Sequence, residues 1–399
     1  MAWKIIKKHI LNFGLICLIG VFNLFLLLFP REILVTTKGA IDLWANNVLP
    51  ALLPFLIGTN ILIKTEIIDL FSFMATPFTR IFNVSGNGTF AIIAGIICGY
   101  PVGAKIIKNL REENKISRTE AQILISFCNN PGPIFILGTV GVNMLGSEKL
   151  GYILMFVIYG TALLNGWIFG LILKNKTNNF SQHSCKKNIL IYNNKAKNYG
   201  VIIGQSVSEA ILSALQIGGF IVVFAVLCEI IEISNATKFI WHLIRDISPI
   251  EKLGYKNFKG ICIGLTEVTN GMKFLTQSNY DKLILILSAS LLAFGGLCVH
   301  MQSIAFIAKT DINIKLYIYA KTMHAILAAI FMRIIFLFLK FNLYVKNTQA
   351  CIYQIYQTTN FSTHIIDSCK NFVLAIAIIL LFFIASYVKK QLIKITKSV

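Results

Sequence analysis

The sequence predicts an all-α polytopic membrane protein, built as a two-fold internal repeat of re-entrant helical hairpins and broken transmembrane helices. Three observations predict this fold class. The 399 residues are 56% hydrophobic and only 14% charged, whereas a soluble domain carries about 25% charged residues. The mean hydropathy is +0.72, and long apolar stretches recur along the chain. Polar interruptions within these stretches follow the same order in the two halves.

The apolar stretches have the length of membrane spans, which take about 20 residues of helix. The first, 10–29, follows Lys4, Lys7 and Lys8 and precedes no small-residue cleavage site, so we expect a retained span rather than a cleaved signal peptide. The remaining stretches lie at 43–63, 67–83, 90–110, 119–145, 150–173, 200–231, 258–275, 282–308, 315–340 and 371–388.

The net charge of +20 is distributed in a way that excludes a nucleic-acid partner. Lysine and arginine stand in short clusters between apolar stretches, with no basic face that carries interleaved aromatic residues. Such clusters are typical of cytoplasmic membrane loops. The Lys-rich segment 174–199 is therefore predicted to be a cytoplasmic loop between an N-terminal membrane half, 1–173, and a C-terminal membrane half, 200–399. Both termini are expected in the cytoplasm, and 341–370 is expected to be an outer loop.

Motifs for covalent or metal chemistry are missing from the sequence. The nine cysteines form no CxxC pair or His/Cys cluster, so neither a disulfide framework nor a metal site is expected. No nucleophile, zinc-protease, P-loop or dinucleotide motif occurs. The chain is predicted not to be an enzyme or an ATP-driven pump, and no cofactor is expected.

Four interruptions carry the functional prediction. The first half breaks at Gly99–Pro101 and again at Asn129–Pro133, and the second half breaks at Thr266–Gly271 and at Gly295–Gly296. The two breaks of each half are separated by about 30 residues. A hairpin and a broken span in each half is a pattern of secondary transporters.

Helix breaks within a bilayer indicate a binding site because exposed backbone is tolerated there only inside protein or beside a wet cavity. Half-helix N-termini at such a cavity carry partial positive charge, which suits an anionic solute. The alternative is that glycine and proline simply kink these helices for packing, since both are common in membrane spans.

The polar residues at the breaks are the candidate solute ligands. Asn129 and Asn130 are adjacent carboxamides in an apolar stretch, and they either bind the solute or join two helices by a hydrogen bond. Glu267 is an acid at bilayer depth, and it either serves a coupling ion or substrate or pairs with Lys105 or Lys273. The further candidates are Tyr100, Pro101, Gly103, Gly132, Thr266, Thr269, Asn270, His300 and Gln302.

Three of these candidates have specific alternatives. Lys105 and Lys273 follow the two hairpin breaks at matching places, where they would either bind a dicarboxylate or extend to the membrane interface. His300 would either carry a proton or be a hydrogen-bonded structural residue. Glu209 also interrupts an apolar stretch and is a further cavity candidate.

Three linked motifs resemble a known family. The segments Leu43–Phe55, Gly99–Lys105 and Phe127–Gly138 are similar to those of the YlbJ-type sporulation integral membrane proteins, which belong to the nucleoside-recognition or Gate-domain group. The resemblance implies one Gate repeat in each half and a fold similar to the concentrative nucleoside carriers. It also implies passage of dipicolinic acid, a small aromatic dianion, across the outer forespore membrane toward the forespore.

Three functions remain open from the sequence. The first is a carrier of a small anionic metabolite such as dipicolinate. The second is a carrier of a nucleoside or other neutral solute, coupled to a cation through Glu267. The third is a non-transporting assembly protein of the spore envelope. The expected partners are the lipid bilayer and a small dipicolinate-like anion, and a homo-oligomer is compatible with the sequence.

Overall fold

The protein is helical in every regular element of the described residues. A computed structural model describes residues 2–65, 79–173, 198–247, 251, 253–277 and 281–338. Its α-helices are α1 Ala2–Leu28, α2 Pro30–Leu43, α3 Leu49–Lys64, α4 Gly88–Cys98, α5 Val102–Glu112, α6 Arg118–Phe127, α7 Glu148–Leu173, α8 Tyr199–Ile233, α9 Ala236–Ile244, α10 Tyr255–Thr266, α11 Val268–Thr276, α12 Lys282–Phe294, α13 Gly296–Ile307 and α14 Ile314–Phe338. Two π-helices, Trp44–Val48 and Phe135–Met144, and a 3₁₀ turn, Arg80–Phe82, complete the described elements.

Length and composition make this a multi-pass membrane protein. Within the described residues, four helical stretches are long and apolar enough to cross a bilayer, namely Glu148–Leu173, Tyr199–Ile233, Lys282–Ile307 and Ile314–Leu337. The N-terminal pair Ile16–Leu28 and Pro30–Val48 makes a fifth if counted as one span bent by 102°. The bend lies at Pro30, whose ring prevents α1 from continuing as one straight helix. An all-α membrane protein is thus confirmed, while the internal repeat stays a prediction.

The predicted breaks coincide with helix ends. Helix α4 ends at Cys98 and α5 begins at Val102, while α6 ends at Phe127, ahead of the second π-helix. Helix α12 ends before Gly295, which has φ +96°. The break expected over Thr266–Gly271 is shorter than predicted, because the chain returns to helix at Val268 and leaves Glu267 alone extended.

The core forms where the hairpins pack between longer helices. Helices α4 and α5 contact each other, as do α10 and α11. Helix α5 also contacts α13, which belongs to the other half of the chain. Helices α6 and α7 pack against α14. The first hairpin thereby packs against helices of both halves, and seven of the eleven residues of α5 are buried.

Several predicted segments lie outside the described residues. They are most of the cytoplasmic loop at 174–199, much of the stretch 67–83, the outer loop at 341–370 and the last apolar stretch at 371–388.

Candidate functional site

The two breaks of the first half are in direct backbone contact. The amide nitrogen of Tyr100 donates to the carbonyl oxygen of Asn130 at 2.6 Å. A Cβ atom on Gly99 would lie 2.9 Å from the Cα of Gly132. Only a glycine allows such an approach, and Gly99 also has φ +75°. The hairpin break therefore lies against the break that follows α6.

The two breaks of the second half also meet. A Cβ atom on Gly296 would lie 2.8 Å from the carbonyl oxygen of Gly264 and 3.3 Å from the amide nitrogen of Val268. The start of α13 is thus held against the end of α10 and the start of α11. In the second half, too, the hairpin break lies against the break that follows it.

Side chains join the two pairs of breaks. The Nδ2 atom of Asn129 donates to Ser303 Oγ at 2.8 Å and to the hydroxyl of Tyr317 at 3.1 Å. The Nδ1 atom of His300 lies 3.1 Å from the same hydroxyl. A Cβ on Gly295 would lie 3.6 Å from the ring of Tyr100. All four breaks therefore meet at one place, which we call the junction: 99–101, 128–133, 266–267 and 295–296.

The junction contains a lysine that the sequence analysis missed. Lys321 is fully buried, with 0% of its surface exposed. Its Nζ atom donates to the carbonyl oxygen of Asn129 at 2.9 Å and to Oδ1 of Asn130 at 3.3 Å. Tyr317 and His324 are also 0% exposed, one turn before and one turn after it. Spacings of four and three residues place all three on one face of α14. This row of polar residues on one face of an apolar helix is the sequence feature that could have predicted Lys321 as a site residue.

Helix α7 stabilises the opened backbone after α6. The hydroxyl of Tyr159 donates to the carbonyl oxygen of Pro131 at 2.8 Å. The Nδ2 atom of Asn165 donates to the carbonyl oxygens of Ser126 at 2.9 Å and Ala320 at 3.1 Å. The bonds to Pro131 and Ser126 satisfy carbonyl groups that the break after α6 would otherwise leave unpaired at bilayer depth, and the bond to Ala320 ties α7 to α14.

The junction is closed, yet it keeps hydrogen-bonding capacity. A cavity of about 10 Å³ touches Asn130 and Tyr159, which is room for about one water molecule. Several buried polar atoms around the junction have no hydrogen-bond partner among the described residues: Tyr100 OH, Asn129 Oδ1, Asn165 Oδ1, His300 Nε2 and His324 Nδ1. Unpaired buried polar atoms are rare in folded proteins and call for an explanation.

Glu267 lies at the junction but turns onto its own helix. Its two carboxylate oxygens accept from the amide nitrogens of Thr269 at 2.9 Å and Asn270 at 2.7 Å, which caps the start of α11. Within the described part of the chain it forms no ion pair with Lys105 or Lys273. The hydroxyl of Thr266 donates back to the carbonyl oxygen of Cys262 at 3.2 Å.

The remaining candidates have different surroundings. Lys105 is buried, with its ammonium group 5.7 Å from the centre of the Phe306 ring, whereas Lys273 is exposed. Gln302 is buried and donates to the sulfur of Cys298 at 3.2 Å. Glu209 pairs with Lys64 at 2.7 Å. Pro101 and Gly103 are buried at the start of α5. The matching sequence positions of the two lysines thus do not give matching environments.

Comparisons with known proteins find one family model within the N-terminal half and one relative that is similar over most of the chain. Residues 45–148 match the family model described as Gate, nucleoside recognition. The chain is 28% identical over 322 residues to the sporulation integral membrane protein YlbJ of Bacillus subtilis (strain 168), and the match covers 77% of this chain and 78% of that protein. No solved structure matches the chain. Residues 45–148 therefore resemble the Gate nucleoside-recognition domain, and the resemblance of this membrane protein to the YlbJ-type sporulation proteins is confirmed.

Proposed function

We propose that this protein is a membrane carrier that binds a small anionic metabolite at the junction, with dipicolinate as the first candidate. One observation carries the proposal: four helix breaks from both halves of the chain converge on a single buried point with unpaired polar atoms. Helix kinks that serve only packing have no reason to lie next to one another. Four converging breaks instead have the arrangement of a midplane solute site in a secondary transporter.

The charge at the junction favours an anion. Helices α5 and α13 both begin there, and neither has a side-chain cap at its N-terminus. Their first backbone N–H groups carry the positive ends of the helix dipoles. The buried amine of Lys321 adds a full positive charge in its protonated form. A solute with two carboxylates has acceptors for several of these donors.

The biological setting of the proposal comes from the relative. The similar Bacillus subtilis protein is named for sporulation and for integration in a membrane. We propose the same setting here, in the outer forespore membrane, with solute moving toward the forespore. A two-fold repeat similar to the concentrative nucleoside carriers is part of this proposal.

Uptake of labelled dipicolinate into proteoliposomes tests the proposal. Wild-type protein is expected to accelerate uptake over protein-free vesicles. Asn130→Ala should slow it, because the Asn130 side chain accepts from Lys321 at the junction and braces the break through Phe127. Glu267→Gln should slow it less, since the single carbonyl oxygen of glutamine still accepts one of the two capping bonds. Asn23→Ala and Glu148→Gln are matched controls at exposed positions and should leave uptake unchanged.

The similarity of residues 45–148 to the Gate nucleoside-recognition family favours a nucleoside as the second candidate solute. Inhibition of uptake by nucleosides, but not by dicarboxylates, would select a nucleoside carrier over the anion carrier. A third result would remove transport altogether. If Asn130→Ala protein folds, fails in uptake and still supports spore maturation, the protein acts as an envelope assembly factor.

A further inference from the structure

Lys321 differs from the ion-paired lysines of the described residues in the chemistry of its hydrogen-bond partners. Lys64 pairs with Glu209 at 2.7 Å, and Lys259 pairs with Glu232 at 2.6 Å, all four being partly exposed. Lys321 is the more deeply buried group, yet both acceptors around its ammonium are uncharged amide oxygens. In the part of the chain that the structure describes, Lys321 forms no ion pair.

A buried cation without a counter-charge is an expensive arrangement. Taking an ammonium group out of water costs several kcal/mol, and neutral hydrogen bonds recover only part of this. Lys321 lies seven residues into α14, about 10 Å along the helix at 1.5 Å per residue. At that depth it is well inside a hydrocarbon core of about 30 Å. Intramembrane ionisable residues of this kind usually mark a solute or ion pathway.

The hydrogen-bond capacity of Lys321 is also incompletely used. An ammonium group has three N–H donors, and two of them bond to Asn129 O and Asn130 Oδ1. The amide group of Asn130 is itself fixed, because its Nδ2 donates to the carbonyl oxygen of Phe127 at 2.6 Å. The break after α6 therefore holds the ammonium in place and leaves one donor.

We propose that Lys321 supplies the positive charge that binds a carboxylate of the transported anion, with Asn129 and Asn130 positioning its ammonium group. The inference rests on the proposed carrier function and names the group that gives it anion specificity. The carboxylate takes the third N–H of Lys321 when the junction opens. In the closed junction Asn129 and Asn130 engage the other two donors, so the charge is already in place where the solute enters.

Replacement of Lys321 by glutamine and by arginine tests the assignment. Lys321→Gln removes the charge and keeps a donor, whereas Lys321→Arg keeps the charge. Lys315→Gln is the matched control, since Lys315 is exposed on the same helix. Uptake is measured for dipicolinate and for its neutral diamide, which has the same ring and no charge. Thermal unfolding of each purified variant reports folding separately.

The expected result is selective for charge. Lys321→Gln should raise the KM for dipicolinate by about 10- to 100-fold, the range set by loss of one charge-assisted hydrogen bond. Its handling of the diamide should match or exceed that of wild type. Lys321→Arg should retain part of the dipicolinate uptake, and Lys315→Gln should behave as wild type.

Two other outcomes overturn the inference in different ways. Equal loss of dipicolinate and diamide uptake in Lys321→Gln would make Lys321 a structural residue, as would unchanged uptake of both. Neither result would affect the carrier function. If the wild-type protein moves neither compound, the proposed function fails, and the inference fails with it.

Discussion

The packing of the junction depends on Gly99, and replacement by alanine tests it directly. Gly99 has φ +75° and ψ −169°, a region that costs other residues about 1–3 kcal/mol. The new Cβ would also lie 2.9 Å from the Cα of Gly132 and 3.1 Å from the carbonyl oxygen of Asn130. Moving these atoms apart costs about 1–3 kcal/mol more, as at other overpacked sites.

Two other glycines separate these contributions. Gly103 has no positive φ, but a Cβ there would meet the carbonyl oxygen of Cys128, so Gly103→Ala suffers overpacking alone. Gly160, on α7, has no atom within 4 Å of the new Cβ, and alanine favours a helix over glycine by about 1 kcal/mol. The stability order should be Gly160→Ala at or above wild type, then Gly103→Ala, then Gly99→Ala.

Thermal unfolding of the purified variants in one detergent measures this order. A fixed scan rate is needed because unfolding of large proteins is often irreversible. Uptake of dipicolinate should be lower in Gly99→Ala than in Gly103→Ala. If Gly99→Ala unfolds at as high a temperature as Gly160→Ala, the contact between the first two breaks is not as described, and the argument for a junction fails.

Three further predictions concern other parts of the same region. Gly271→Ala should destabilise the second hairpin, because its Cβ would meet the Cα of Gly264 across the hairpin, and thermal unfolding measures this. Tyr317→Phe leaves His300 Nδ1 unpaired and removes one of the two bonds of Asn129 Nδ2, which should cost about 1–3 kcal/mol in thermal unfolding. The hydrogen bond from Arg111 lowers the pKa of Asp311 below its ordinary value of 3.8. The Asp311–Arg111 pair therefore contributes its full stabilisation above pH 3.8 and loses it as the pH falls through the lower pKa of Asp311 in the folded protein. Asp311→Asn should accordingly lower the melting temperature near neutral pH and have no effect in strong acid.

The positions of the breaks could be predicted because their signals are local. Glycine and proline in Gly99–Pro101 and a run of asparagine, proline and glycine in Asn129–Pro133 interrupt otherwise apolar stretches. The break at Glu267 was predicted too long. Threonine and asparagine after it suggested more open backbone, but the Glu267 carboxylate caps the next helix and lets it begin at Val268.

The role of Lys321 and the different burial of Lys105 and Lys273 could not be predicted from the neighbouring residues in the sequence. The stretch that contains Lys321 has no glycine or proline break, so it was interpreted only as a span. Its role depends on Asn129 and Asn130, which lie more than 190 residues away in the chain. Lys105 and Lys273 occupy matching places in sequence, yet only Lys105 is covered by α13. Burial of a polar residue is set by tertiary packing rather than by its neighbours.

The contacts at the junction differ in kind within and between the halves, and this difference bears on how a solute enters. Within each half, the two breaks are in backbone contact at glycine, as at Gly99 and at Gly296. A solute cannot replace this close packing of backbone atoms. Between the halves, side chains of Asn129 and Lys321 make the hydrogen bonds. A solute with oxygen and nitrogen atoms can replace these bonds, because exchanging one hydrogen bond for another changes the free energy little. We therefore expect the junction to open between its halves, with each pair of breaks moving as a unit.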